Sequence, residues 1–384
     1  MKESLFRIGV DLLWVRVNPD GKPAAGGTVS YISNILEGFR QYPVEDEEIY
    51  LYVCRDAAHV FERFTEDSRF HLIVCPVDSS SQLRRIVWEN LNMNRLARRD
   101  QLSVWYIPVY SRPLLMNRMV PDVTVIHDLI SLHYPANFSK GRAKFFDLCW
   151  RNDARKASAL VVISDYVRQD FLAHYRADEE RVRVIYDPII IRKSPVDFQE
   201  LSERYGIEER EYLYTVSAIM KHKNLITLVK ALNYLRDQGH GYRLVISGVI
   251  SDNSSDEIRS YVKEHALEEA VIYTGRVSDE ERDCLYEHCK TFLFPSLFEG
   301  FGMPVLEAME RGIPVITTKK TALYEVSQGQ AEYVEDPLNE AEWAERILES
   351  PTGRVHYDAD FSRYEMNHIV GQYRDLFRYI YSRT

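Results

Sequence analysis

The stretch Thr291–Thr317, TFLFPSLFEGFGMPVLEAMERGIPVIT, decides the reading of this chain. Phe292-Leu293-Phe294, closed by Pro295 and Ser296, reads as a buried parallel strand. A turn carrying Glu299, Gly300 and Gly302 follows, and Pro304 opens a short helix through Val305, Leu306, Ala308 and Met309. Gly312 and Pro314 stop that helix, and Val315-Ile316-Thr317 starts the next strand. A glycine-rich turn at a helix N-terminus points backbone N–H groups and the positive end of the helix dipole at one place, which suits a phosphate. Two carboxylates flank the turn, Glu299 before the glycines and Glu307 in the helix. A carboxylate beside a phosphate site makes a poor anion ligand and a good acceptor for hydroxyls. The ligand expected here carries phosphates at one end and a sugar near them.

Outward from this stretch, the chain of 384 residues has room for two domains. In the first half, strands are expected near Arg7–Leu13, Ile49–Cys54, His71–Cys75, Val104–Pro108, Val123–His127, Leu160–Ser164 and Val182–Tyr186. Helical segments such as Val29–Arg40, Lys140–Lys156 and Tyr166–His174 fall between them, an alternation that predicts a doubly wound parallel sheet. Ligands of such sheets gather at the carboxyl ends of strands. Two features lie there. Gly26 and Gly27 precede a helix and either let the backbone approach something bound or make a flexible connection. His127, at the mouth of the fifth strand, is either structural or a donor to a ligand hydroxyl or phosphate.

Asp187 to Glu211 breaks the pattern with prolines and charges and reads as a domain boundary. A second alternation has strands near Tyr212–Ser217, Arg243–Gly248, Val271–Thr274, Thr291–Pro295, Val315–Thr317 and Glu332–Val334. The first of these leads into Lys221-His222-Lys223, which is either a solvated loop or a cationic site for a diphosphate, ahead of the amphipathic helix Leu225–Gln238. The tail from Phe361 to Tyr381 is helical by pattern and rich in aromatics, so it should dock on a domain.

The net charge of −10 argues against a nucleic-acid partner. Basic residues nevertheless outnumber acidic ones between Ser81 and Leu160. There LRRIVWENLNMNRLARRD reads as a basic helix with Ile86, Val87, Leu91 and Leu96 available for burial. Residues 84–99 are then either an ordinary solvated helix face or a surface attracted to anionic phospholipid headgroups. The five scattered cysteines are expected to be reduced thiols of a cytoplasmic protein, and no run is long enough for a membrane span. The N-terminal MKESLFRIGVDLLW reads as a first strand, not as a signal peptide. Cys284, His288 and Cys289 lack the spacing and the fourth partner of a zinc site.

Together these residues resemble the family-4 group of retaining, nucleotide-sugar-dependent glycosyltransferases with the GT-B fold. PSLFEGFGMPVLEAMERGIPVITT is similar to that family's E-x7-E region nearly residue for residue. VSAIMKHKNLITLVKAL, LVISG, YTGRVSDEERDCLYEHCKTFLFPS and YVEDP support the match. RIGVD, the Gly26-Gly27 loop, VIHDLISLHYPANF and ALVVISDYVRQDF resemble the mannosyltransferase-like branch. The resemblance implies two facing Rossmann-like α/β domains, 1–190 for the acceptor and 191–361 for the donor, with a terminal helix, 362–384, crossing back to the first.

It also implies roles. Glu299 would accept hydrogen bonds from donor-sugar hydroxyls, and Glu307 would hold the ribose. Backbone N–H groups of Phe301, Gly302 and Met303, with Val305 in the same turn, would face the sugar and phosphates. Lys223 would neutralise the diphosphate and His127 would sit beside the transferred sugar. Gly26 and Gly27 would approach the phosphates from the other domain, and Gly275 to Val277 would lie near the nucleobase. Neither a metal nor a cofactor is implied, since lysine and helix N-termini supply the countercharge. The chain departs from the family's pattern at Ser217, where glycine is common, and at Ala218 and His222, where a phosphate-binding arginine is often found. His222 or Lys221 would then substitute for it. GDP-mannose is the expected donor, with dTDP-rhamnose or a UDP-sugar as rivals. The expected acceptor is a saccharide, lipid-linked, at the inner membrane face. A nicotinamide-dependent oxidoreductase would share the architecture, but GxGxxG is absent. A catalytically silent sugar-nucleotide-binding scaffold is the other alternative.

Overall fold

The computed structural model describes residues 5–18, 21–24, 27–109, 112–117, 119–249 and 254–384. The chain divides into two compact units, Met1–Pro188 with Ser362–Thr384, and Ile189–Phe361. In the first, β1 (Phe6–Asp11), β2 (Glu47–Cys54), β3 (Phe70–Cys75), β4 (Val104–Ile107), β5 (Asp122–Ile126), β6 (Ala159–Val162) and β7 (Val182–Val184) form one sheet. Its order is β3-β2-β1-β4-β5-β6-β7, with every described pairing parallel. In the second unit β8 (Tyr212–Val216), β9 (Arg243–Ser247), β10 (Val271–Gly275), β11 (Thr291–Phe294), β12 (Val315–Thr318) and β13 (Glu332–Val334) form another. Its order is β10-β9-β8-β11-β12-β13, again parallel. Strands β4, β5, β6, β11 and β12 are buried along their whole length, as sheets covered on both faces require.

Strand order reverses between β1 and β4 in the first sheet and between β8 and β11 in the second. Loops leaving the carboxyl ends of strands at such a reversal splay apart and leave a crevice. In the second unit these are the loop after β8, which runs into helix α3 (Leu225–Asp237), and the loop after β11, which runs into α5 (Met303–Glu310). Helix α4 (Asp279–His288) meets α5, where the Tyr286 hydroxyl donates to the Pro304 carbonyl.

In the first unit, α1 (Gly27–Gln41) follows the β1 loop and is covered by the last helix, α6 (Met366–Tyr381). Buried Ile369, Val370, Tyr373, Leu376, Phe377 and Ile380 recur at helical spacing on α6. Phe377 stacks on Phe39 of α1, and Arg374 grips the buried carboxylate of Glu47 with bonds of 2.8 and 3.0 Å. The tail expected as one helix from Phe361 is instead a 3-10 turn, Phe361–Tyr364, broken from α6 at the cap residue Glu365.

Helix α2 (Gln82–Arg99) also differs from its sequence reading. Leu96 is buried, but Val87 and Leu91 face solvent, and Arg85 and Glu89 take the inward positions. The cause is the buried carboxylate of Asp11 at the end of β1. The charge of Arg85 pulls Asp11 back from the rise that burial imposes, leaving it at about 6, and Arg85 bonds Glu89 at 2.5 Å. A lone buried carboxylate costs more than turning one arginine inward.

Asp187, after β7, is buried with no partner for Oδ1, and burial alone lifts its pKa from 3.8 to about 8. Between those values the unfolded chain has released this proton and the folded chain keeps it, so stability falls as pH rises, by up to about 1.4 kcal/mol per pH unit. Asp187→Asn should therefore raise the melting temperature at pH 8 and lose that advantage towards pH 4, as thermal unfolding across pH would read.

Candidate active site

The second unit brings Lys223 and Glu299 into contact across its crevice. Lys223 Nζ donates to Glu299 Oε1 at 2.6 Å, and both side chains are largely buried. Lys223 also lies 5.8 Å from the ring centroid of Phe294, at the end of β11. Each partner is held by a residue in an uncommon backbone conformation. Asn224, directly after Lys223, has φ 55°. Its amide donates to the carbonyls of Pro295 and Pro337, and its Oδ1 accepts from Thr227, which ties the β8 loop to the β11 loop. Thr321, with φ 53°, accepts the N–H of Glu299 on its hydroxyl at 2.9 Å. Left-handed backbone is tolerable for asparagine and costly for a β-branched residue. Strain of this kind persists where the surroundings enforce it, and it clusters at functional sites.

The turn after Glu299 follows the same logic. Gly302 has φ 111°, and a Cβ there would sit 2.5 Å from Leu323 Cδ2. It caps α5, whose second residue is Pro304. Pro304 offers no N–H and Val305 gives its own to Gly302, so in this first turn it is the Met303 amide, at the positive end of the helix, that suits an incoming anion. Phe301 turns its ring into the interior. Val305 buries its side chain, and its N–H donates to the carbonyl of Gly302.

Glu307 is not an isolated carboxylate. Arg282 of α4 comes to 4.0 Å from Oε1, and Arg311, four residues on, donates to the Glu307 carbonyl and pairs with Asp283 at 2.7 Å. Burial raises the pKa of Glu307, while Arg282 and Arg311 pull it back. An i,i+4 spacing announces Arg311, but nothing in the sequence announces Arg282 or Thr321.

The remaining residues of the second unit line its strand ends. Ser217 donates its N–H to Ser247, and its carbonyl lies so near Gly248 that a Cβ there would be 1.8 Å from it. Ser217 is not among the described residues with positive φ, so serine replaces glycine without backbone strain. His222 is buried, and its carbonyl accepts from Leu297 across the crevice. That makes it a brace between the loops. Gly275, with φ 69°, bonds the N–H of Gly248 through its carbonyl and has open space where a side chain would go. Val277 follows two residues later, half-buried.

In the first unit, His127 lies just past β5. Its Nε2 is 2.8 Å from the carbonyl of Pro108, which only accepts, so Nε2 carries the proton. Burial pulls the imidazole pKa down to about 4, so the ring is neutral and Nδ1 has a lone pair to offer. The expected donor to a ligand is thus an acceptor at its remaining nitrogen. Gly27 begins α1, and Gly26 lies outside the described residues.

Thr321→Val removes the hydroxyl that holds Glu299 and keeps the side-chain shape. Unfolding free energy should fall by about 1 kcal/mol, with turnover falling more than donor affinity as Glu299 loosens; denaturant unfolding and steady-state kinetics measure both.

Comparison with known proteins places this geometry. The model "Glycosyl transferases group 1" matches residues 197–364, and "Glycosyltransferase Family 4" matches residues 25–192. The chain is 28% identical to O-antigen chain mannosyltransferase B of Escherichia coli over 240 residues, 62% of each chain. It is 26% identical to O-antigen chain mannosyltransferase RfbU of Salmonella typhimurium over 311 residues, 78% of this chain and 82% of the relative. The chain thus spans less than two thirds of the first relative and most of the second. Among solved structures, HepE of Anabaena in complex with UDP and glucose superposes with a TM-score of 0.67 over 98% of both chains at 18% identity, a likeness of fold. With one model on each unit, the chain belongs to the family-4 glycosyltransferases of GT-B fold.

Proposed function

We propose that this glycosyltransferase moves a mannosyl group from GDP-mannose to a lipid-linked saccharide acceptor in cell-surface polysaccharide synthesis, with retention and without a metal. The Lys223–Glu299 pair at the reversal of the second sheet carries the reading. Without donor, the two charges neutralise each other. A diphosphate arriving at Lys223 and the amides near Met303 satisfies the lysine and leaves Glu299 to accept from sugar hydroxyls beside it. As the glycosyl–phosphate bond breaks, negative charge grows on the diphosphate, where Lys223 and the α5 N-terminus stabilise it. Glu307 accepts from the ribose. His127, in the first unit, offers Nδ1 to a substrate hydroxyl. No described side chain stands out as a nucleophile, so the acceptor hydroxyl attacks from the leaving-group face and a phosphate oxygen takes its proton.

The names of the mannosyltransferase relatives favour GDP-mannose, and the UDP bound in HepE keeps a UDP-sugar as the second reading. Calorimetry against GDP-, UDP- and dTDP-sugars separates them. Glu299→Ala should reduce transfer by at least roughly a hundredfold while nucleotide still binds, chelator should leave turnover unchanged, and NMR of the product should give the donor's anomeric configuration. Unaltered turnover of Glu299→Ala contradicts the site.

The membrane part of the proposal rests on α2. No helix among the described residues is long and apolar enough to cross a membrane. Leu83, Val87 and Leu91 instead form an exposed stripe, 50 to 74% accessible. Exposed Leu115 and Met119 continue it from a loop bonded to α2 through Asn90, Asn94 and Arg98. Arg84, Arg95 and Arg98 surround the stripe, while the one acidic residue of α2, Glu89, is buried. Apolar side chains with cations around them suit the boundary of an anionic leaflet, here the inner face of the cytoplasmic membrane. Replacing Leu83, Val87 and Leu91 by Gln should abolish co-sedimentation with anionic vesicles and spare turnover on a soluble acceptor. Binding that ignores both lipid charge and these substitutions contradicts it.

A further inference from the structure

We propose that Tyr373, brought into the first unit by the C-terminal helix, is a positioning residue for transfer that acts through Tyr31 on the His127 imidazole. The ring of Tyr31 on α1 meets His127 edge-to-face, with centroids 4.8 Å apart and planes at 85°. Its hydroxyl joins a buried cluster of three phenols, bonding Tyr106 of β4 at 2.7 Å and Tyr373 of α6. All three residues are at least 96% buried. Burial and their mutual proximity hold Tyr31 and Tyr106 well above the usual phenol range, so the hydroxyls stay neutral and the cluster persists as hydrogen bonds.

Two constraints thereby meet on one imidazole. The Pro108 carbonyl, two residues beyond Tyr106, fixes the tautomer by accepting a hydrogen bond from the Nε2–H. Tyr31 fixes the ring plane by walling one side. Together they leave Nδ1 as an acceptor in one direction, which is what a hydroxyl of a bound substrate needs. Tyr31 alone would not do this. An aromatic side chain on a helix swings about χ1 and χ2 unless its far end is held, and Tyr373 and Tyr106 hold it from two different elements. Tyr373 is itself fixed by the grip of neighbouring Arg374 on Glu47 and by its contact with Phe377. A helix whose sequence shows only an apolar stripe therefore reaches the site with one hydroxyl.

The role rests on the reading of His127 as a group that touches substrate, so the test separates the two. The probe is the ring signals of His127 in protein labelled with 13C and 15N at histidine, assigned with His127→Gln. Tyr373→Phe deletes one oxygen. Tyr31→Leu deletes the wall, and Tyr379→Phe alters an exposed ring of the same helix. Tyr31→Leu and Tyr373→Phe should shift and broaden the His127 signals as the ring contact loosens, and lower kcat by roughly ten- to a hundredfold with donor KM little changed. Tyr379→Phe should do neither. Unmoved His127 signals in Tyr373→Phe overturn the coupling, whatever the activity. If the signals move but His127→Ala turns over normally, the substrate role of His127 is wrong and the positioning role falls with it.

Discussion

The ion pair of Lys223 and Glu299 is the constraint on which the second unit's organisation depends. It joins the loops after β8 and β11, the two strands that meet where the sheet order reverses. Holding it there takes backbone strain at Thr321, a left-handed asparagine at Asn224, a glycine at φ 111° in Gly302, and a brace through the His222 carbonyl. An exposed salt bridge would not justify such an outlay, since it contributes little to stability. A pair that a diphosphate can divide would: under the proposed function the lysine's charge is held ready without being free, and the carboxylate would be released next to the sugar when the phosphate takes its place.

Strand positions were legible because a doubly wound sheet leaves a strong local signature. LVV at Leu160–Val162 and FLF at Phe292–Phe294 are apolar throughout because both faces of the sheet are covered. The Gly302-Met303-Pro304 turn was equally plain, since each residue type there answers one backbone demand. What sequence did not disclose were pairings made across the fold. Thr321 reaches Glu299 from 22 residues away, Arg282 lies 25 residues before Glu307, and Tyr373 finds Tyr31 from the far end of the chain. None follows from a period or a motif. The direction of α2 was misread for a related reason. Helical periodicity alone ranks Val87 and Leu91 as core, but a buried acid on β1 outranks them and draws Arg85 inward.

The two units use their terminal strand edges differently. In the second, charge and backbone amides dominate, as phosphate chemistry requires. In the first, the same edge carries neutral groups: a histidine held near pKa 4, a phenol cluster, and Asp187 kept protonated to about pH 8. The phenols and Asp187 are buried, so it is His127 that the proposed saccharide would meet, and a neutral imidazole suits a hydroxyl better than an anion.

The division of labour between Lys223 and Glu299 is measured most directly by calorimetry of GDP and GDP-mannose on the wild type, Lys223→Met and Glu299→Gln. Lys223→Met should weaken both ligands by roughly tenfold or more. Glu299→Gln should bind GDP as well as the wild type and lose only the extra affinity that the mannose contributes. Equal weakening of GDP and GDP-mannose by Glu299→Gln would contradict the account, because the carboxylate would then serve the nucleotide and not the sugar.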